Sequence, residues 1–192
     1  MTSFADVIRP STKSYGYTYD ILCVLGGSLF LALMSQISFH LGFTPVPITL
    51  QTLGVMLIGA LLGSKRGALS IAAYLAEGAL GLPVFAGGGA GVITLFGPTG
   101  GYLFAFILST FTIGFLLERG WKKSYPLTLA ALVIGSALTL GLGALWLGFF
   151  VGKEHAFALG VYPFLIGCVF KVLATAALIP SGWKALGYFK KN

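Results

Sequence analysis

The sequence predicts an all-α membrane protein: a compact bundle of six transmembrane helices with both termini in the cytoplasm. Three observations carry this. Of the 192 residues, 57% are hydrophobic and only 9% are charged, against roughly 25% charged in an average soluble domain. Such a chain cannot cover a water-facing surface. The apolar residues gather in six runs, and a hydrocarbon core of about 30 Å takes roughly 20 helical residues per crossing, which suits this length with short loops. The basic residues between those runs are sorted by side.

Taken in order, residues 1–20 form a cytoplasmic segment carrying Arg9 and Lys13, with no convincing cleavage site after the first apolar run, so that run is read as an uncleaved span. The transmembrane domain covers 21–187, with apolar runs at 21–41, 48–62, 67–82, 101–117, 127–151 and 157–179, and a short cytoplasmic tail follows at 188–192. The second and third runs are short for perpendicular crossings. Gly and Pro occur within the runs, as membrane helices tolerate. Arg9, Lys13, Lys65, Arg66, Arg119, Lys122, Lys123, Lys184, Lys190 and Lys191 all fall on one side, and only Lys153 on the other. The positive-inside rule therefore places both termini in the cytoplasm, and an even number of spans agrees.

The composition also sets aside several function classes. A net charge of +7 does not make a nucleic-acid footprint when the basic residues lie in short clusters between apolar runs. Cys23 and Cys168 sit in apolar runs, where buried thiols are expected rather than a disulfide or metal site. His40 and His155 lack metal-ligand spacing. The glycines at 87–91 follow no strand and belong to no GxxxxGK motif. No serine or cysteine nucleophile stands beside a base. Neither an enzyme, nor a cofactor, nor a metal is expected.

The charge bias identifies the outer loops as 42–47, 83–98 and the turn at 153–155. Loop 83–98, PVFAGGGAGVITLFGP, has almost no polar side chains. Its apolar residues and glycines suit a lid that packs back onto the bundle. In TPVPITLQT (44–52), Pro45 and Pro47 hold the chain extended before a helix. Gln51 then lies at the outer end of the second span, with Thr49 and Thr52 nearby. Its amide suits a neutral polar ligand group, or serves as helix–helix glue. Glu77 lies near the outer end of the third span, with Tyr74 one turn before it. Glu77 either faces a vestibule or pairs with Lys171.

Lys171 is deep in the last apolar run, where an ammonium costs about 3 kcal/mol on insertion scales. It docks an anionic or strongly polar ligand, pairs with Glu77, or snorkels along a tilted helix. Cys168, three residues earlier, lines the same space. In the first span, Ser28 and Ala32 form a small-residue stripe behind Gly26 and Gly27, where another helix of this chain or of a partner can approach closely.

TPVPITLQTLGV at 44–55, YLAEGALGLPVFAGGGAG at 74–91, GPTGGYL at 97–103 and YPFLIGCVFK at 162–171 together resemble the BioY family, the biotin-specific substrate-binding (S) components of energy-coupling-factor (ECF) transporters. The resemblance covers most of the chain from about residue 21 onward. It implies a six-helix S-component bundle in the bacterial cell membrane, with a cavity near the outer face. It also implies high-affinity capture of biotin, docking to a transmembrane coupling subunit and two ATPase subunits, and toppling in the bilayer to deliver the ligand. Under it, Gln51 and Glu77 address the ureido ring, Tyr74, Phe85 and Tyr102 cover the bicycle, and Lys171 meets the carboxylate or the ureido oxygen. Ser28 and Ala32 fall where S components present their first span to the coupling subunit. The chain departs from the family pattern FLxGDxxK at Cys168, which removes the expected acid beside Lys171. The competing readings are a stand-alone carrier for a small vitamin or other anionic solute, with Glu77 and Lys171 as its coupling pair, a membrane enzyme, and a purely structural subunit.

Overall fold

The computed structural model describes residues 3–189, with side chains to residue 181. Lys190, Lys191 and the side chain of Lys184, part of the charge bias, lie outside the described residues. So does the end of the expected tail.

A short α1 (Phe4–Ile8) precedes α2 (Lys13–Gln36). A two-residue antiparallel ladder follows, β1 (Ser38–Phe39) against β2 (Ile48–Thr49). Then come α3 (Gln51–Ala79), a 3-10 turn (Ala86–Gly88), α4 (Val92–Leu95), α5 (Gly100–Glu118), a second 3-10 turn (Trp121–Lys123), α6 (Tyr125–Val151), α7 (Ala156–Gly160) and α8 (Tyr162–Phe189). Among the described residues, five helical segments are long and apolar enough to cross a membrane: α2, α3, α5, α6 and Ala156–Ser181.

The second of these is bent back on itself. Gly63 breaks α3 with φ +84° and ψ −175°, a conformation open to glycine. A straight helix would place Gln51 and Tyr74 roughly 34 Å apart, yet the Gln51 amide donates to the Tyr74 hydroxyl at 2.8 Å. The arms 51–62 and 64–79 are therefore antiparallel neighbours, and they correspond to the two short apolar runs of the sequence.

The start of the second arm is satisfied from α5. Glu118 accepts from the Ser64 backbone N–H and from the Ser64 hydroxyl, each at 2.8 Å, a carboxylate where a helix N-terminus favours negative charge. Glu118→Ala is expected to lower stability by about 1–2 kcal/mol, the usual cost of a lost cap. Thermal unfolding in detergent checks this, and an unchanged midpoint would show that water serves the cap as well.

Beside this turn, Arg66 bridges Asp6 and Asp20, each at 2.7 Å, and Arg9 adds a third contact to Asp20 at 2.7 Å. α1 is thereby pinned to the second arm. Burial raises the Asp6 carboxyl pKa, but the Ser3 N–H and Arg66 outweigh it and hold the group below the usual carboxylate range.

Small residues let the helices meet closely, as membrane packing requires. A Cβ on Gly59 would lie 2.8 Å from the Thr110 carbonyl, and one on Gly67 would lie 2.7 Å from the Thr110 methyl, so α5 is wedged against both arms. Ser109 of α5 donates to the Gly135 carbonyl of α6 at 2.8 Å. One core joins Leu31, Val55, Ile71, Tyr74 and Phe106, and a second joins Met56, Ile113, Leu132, Val172 and Ile179. Outside, Ile21, Leu25, Leu29 and Leu33 expose an i, i+4 apolar stripe on α2, as the pairs Leu145 and Phe149 do on α6 and Ile166 and Phe170 on α8. Those surfaces suit lipid rather than water.

Three expectations are corrected. The chain is not wholly helical, because Pro45 and Pro47 prepare an extended segment that pairs, as β2, with β1 just after α2. The last run is not one helix: Val161, at φ −123° and ψ −57°, separates α7 from α8, and Pro163 follows in the first turn of α8. The Ser28–Ala32 stripe is not a free surface. Both residues are buried within the chain, and Gly27 packs on Ser70 and Leu62 of α3.

Candidate ligand-binding site

A cavity of about 250 Å³ lies between the start of α3, α5, α6 and α8, roofed by the segments around 45–49 and 85–99. It falls just short of the roughly 300 Å³ at which ordinary small-molecule sites begin. His40, Pro45, Ala86 and Thr94 stand among its lining on the lysine-poor side of the molecule.

Lys171 reaches this cavity from α8. Its ammonium donates to the Thr49 carbonyl at 2.6 Å and to the Thr52 hydroxyl at 2.8 Å. Among the described residues no carboxylate lies within ion-pair distance of it. The positive charge is solvated by two neutral oxygens and balanced by none, and one ammonium N–H remains. Cys168 lines the same wall one turn earlier.

Gln51 begins α3 and is 4% exposed. Thr49 organises it: the Thr49 hydroxyl accepts from the Gln51 backbone N–H at 3.2 Å and donates to the Gln51 side-chain oxygen at 3.0 Å. Lys171 and Gln51 are thus anchored on one residue and address the same end of the cavity. This is why Pro45 and Pro47 matter. They deliver Thr49 in an extended conformation, with its carbonyl free for Lys171 rather than committed to a helix.

Phe85 and Tyr102 supply apolar walls. The Phe85 ring meets Tyr74 edge-on, with centroids 5.4 Å apart at 82°. It fills the space that a side chain on Gly78 would take. The Tyr102 hydroxyl donates to the Gly160 carbonyl at 2.7 Å, tying α5 to the α7–α8 junction. Loop 83–98 is held at both ends: Ser35 donates to the Val84 carbonyl, and Trp146 donates to the Gly97 carbonyl at 2.9 Å.

Of the residues singled out in the sequence, Gln51, Phe85, Tyr102, Cys168 and Lys171 meet at the cavity. Tyr74 does not line it, standing behind Gln51, fully buried. Glu77 is elsewhere. Tyr74 and Gly78 share the face that packs on Phe85, whereas Glu77 turns to α2 and accepts from the Ser28 hydroxyl. The pairing of Glu77 with Lys171 is not formed. Sequence reasoning missed the α6 contribution, Ser136 and Thr139, and the rim residues His40, Thr94 and Thr99. Two hydroxyls spaced i, i+3 in an otherwise apolar run were the available signal for α6. Among the described residues no group of three His, Cys, Asp or Glu is placed to hold a metal.

The sequence model of the BioY family matches residues 7–188. The chain belongs to the BioY family. The probable biotin transporter BioY of Pyrococcus horikoshii is 46% identical over 155 residues, covering 79% of this chain and 90% of that protein. The biotin transporter BioY of Thermotoga maritima is 42% identical over 167 residues, covering 85% and 96%. The fold matches the crystal structure of an S-component for biotin from an ECF-type ABC transporter, with a TM-score of 0.81 and 29% identity over 91% of this chain and 95% of that one. This BioY-family chain is a multi-pass membrane protein, and the relatives named are transporters rather than enzymes.

Proposed function

We propose that this chain is the biotin-binding S component of an ECF-type importer. It captures biotin at the outer face and delivers it inward with a transmembrane coupling subunit and two ATPase subunits. The observation that carries this is the cavity itself: in a chain of the BioY family, an unbalanced Lys171 ammonium stands beside the Gln51 amide, between the apolar walls of Phe85 and Tyr102. Biotin joins a carboxylate, an apolar bicycle and a neutral ureido ring. A ligand carboxylate at Lys171 supplies the missing negative charge where desolvation makes it count most. Gln51 adds a neutral donor and acceptor at that end, and Phe85 and Tyr102 cover the bicycle. Cys168, in place of an acid, leaves the ammonium without a counter-charge from its own helix face.

The crossing number is six, with both termini cytoplasmic in a bacterial cell membrane. The fold-back of α3 at Gly63 supports two short crossings within one helical stretch, and the lysine and arginine bias supports the orientation. The stand-alone carrier loses its coupling pair, since Glu77 is engaged with Ser28 and away from Lys171.

Calorimetric titration of the purified protein with biotin, lipoate, thiamine and riboflavin tests this reading. Biotin is expected to bind far more tightly than the other three. Biotin affinity no tighter than about micromolar, near −8 kcal/mol, would overturn it.

A further inference from the structure

Among the described residues Tyr74 is the largest fully buried side chain, and it is not part of the cavity lining. It nevertheless touches the polar end of the site. The Gln51 side-chain N–H donates to the Tyr74 oxygen at 2.8 Å. The Tyr74 ring stands edge-on to Phe85, whose loop is tied to α2 where Ser35 donates to the Val84 carbonyl. The donors run in one direction, from the Thr49 hydroxyl through the Gln51 amide to Tyr74. Hydrogen bonds arranged in such a chain polarise and strengthen one another in a low-dielectric interior.

We infer that Tyr74 is a positioning residue for ligand capture, acting through Gln51 rather than by touching the ligand. Two contacts set the orientation of the Gln51 amide. Thr49 already accepts from the Gln51 backbone N–H and so spends its own hydrogen on the Gln51 oxygen, while Tyr74 receives the Gln51 nitrogen. One N–H and one oxygen lone pair remain for the cavity, in a fixed order. Without the phenol oxygen the amide can turn over and present them reversed. The apolar body of Tyr74 packs on Phe85 regardless, so its ring and its hydroxyl have separable roles.

The inference rests on the biotin reading, and its test separates the two. Biotin is titrated into wild type, Tyr74→Phe, Gln51→Ala and the double variant. Tyr74→Phe keeps the ring and is expected to weaken binding about tenfold, on the scale of a lost buried hydrogen bond. In the Gln51→Ala background it should add no more than about twofold, because residues of one network are not additive. Thr49→Val removes the other contact that orients the Gln51 amide and should weaken binding in the same direction, serving as the readout should Tyr74→Phe fold poorly. Wild-type binding with Tyr74→Phe unchanged, with effects that multiply in the double variant, or with Thr49→Val unchanged where it is the readout, overturns the positioning role and leaves the biotin reading standing. Absence of biotin binding by wild type overturns both.

Discussion

Lys171→Met is expected to weaken biotin binding by well over tenfold, more than about 1.4 kcal/mol, while leaving the thermal midpoint of the ligand-free protein unchanged or raised. The two halves have one cause. The ammonium is held by the Thr49 carbonyl and the Thr52 hydroxyl and has no counter-charge among the described residues. A charge so placed in a bundle costs about 3 kcal/mol on insertion scales, and a methionine of similar length and no charge removes that cost. With biotin bound, the same charge gains an anionic partner away from water, and the variant forgoes that gain. A structural lysine would show the opposite pattern, a lower midpoint with affinity intact. Titration calorimetry and thermal unfolding on the same preparations decide it, and a folded variant that binds as wild type does would return Lys171 to a packing role.

Gly78→Ala is expected to act on the site through Phe85. The new methyl would occupy the position of the Phe85 ring, which lies against Gly78 and Tyr74 and is 1% exposed. A ring at the end of a side chain moves more easily than backbone, and the direction left open to it is the cavity it already lines. Overpacking of this kind costs about 1–3 kcal/mol. Here the larger consequence is lost cavity, because a volume of about 250 Å³ has none to spare. Biotin affinity should fall at least about tenfold with a smaller loss of thermal stability. Adding Phe85→Leu to Gly78→Ala should recover part of the affinity by vacating the disputed space. If the double variant binds no better than Gly78→Ala alone, the effect does not run through Phe85.

Much of the site was legible in the sequence because membranes make polar residues conspicuous. Lys171 stands alone in an apolar run, and Gln51 follows two prolines that announce an extended segment before a helix. Both reach the cavity. Glu77 was conspicuous for the same reason, yet i, i+3 neighbours on a helix are separated by about 60° around the axis. That angle is enough to put Tyr74 against Phe85 and Glu77 against Ser28. The stripe Ser28–Ala32 was legible as a close-packing face, but its spacing does not say which helix approaches it, and the answer is α3 of the same chain. Ser136 and Thr139 carried too weak a signal, since hydroxyls in membrane helices commonly bond back to their own backbone, as Ser136 does to the Leu132 carbonyl.

The sequence by itself determined the lipid-facing class of this protein, its sorted charges, the break-prone glycines and prolines, and the presence of a buried cation in need of company. These follow from composition and one-dimensional spacing, because hydrocarbon penalises each polar group wherever its helix lies. Only the tertiary structure decided the company. Gly63 folds α3 so that Gln51 and Tyr74, 23 residues apart, share a hydrogen bond. Lys171, 122 residues after Thr49, bonds the carbonyl of the same threonine that orients Gln51. Such partnerships depend on the angles at which helices meet and the way each side chain faces, and no local pattern records either.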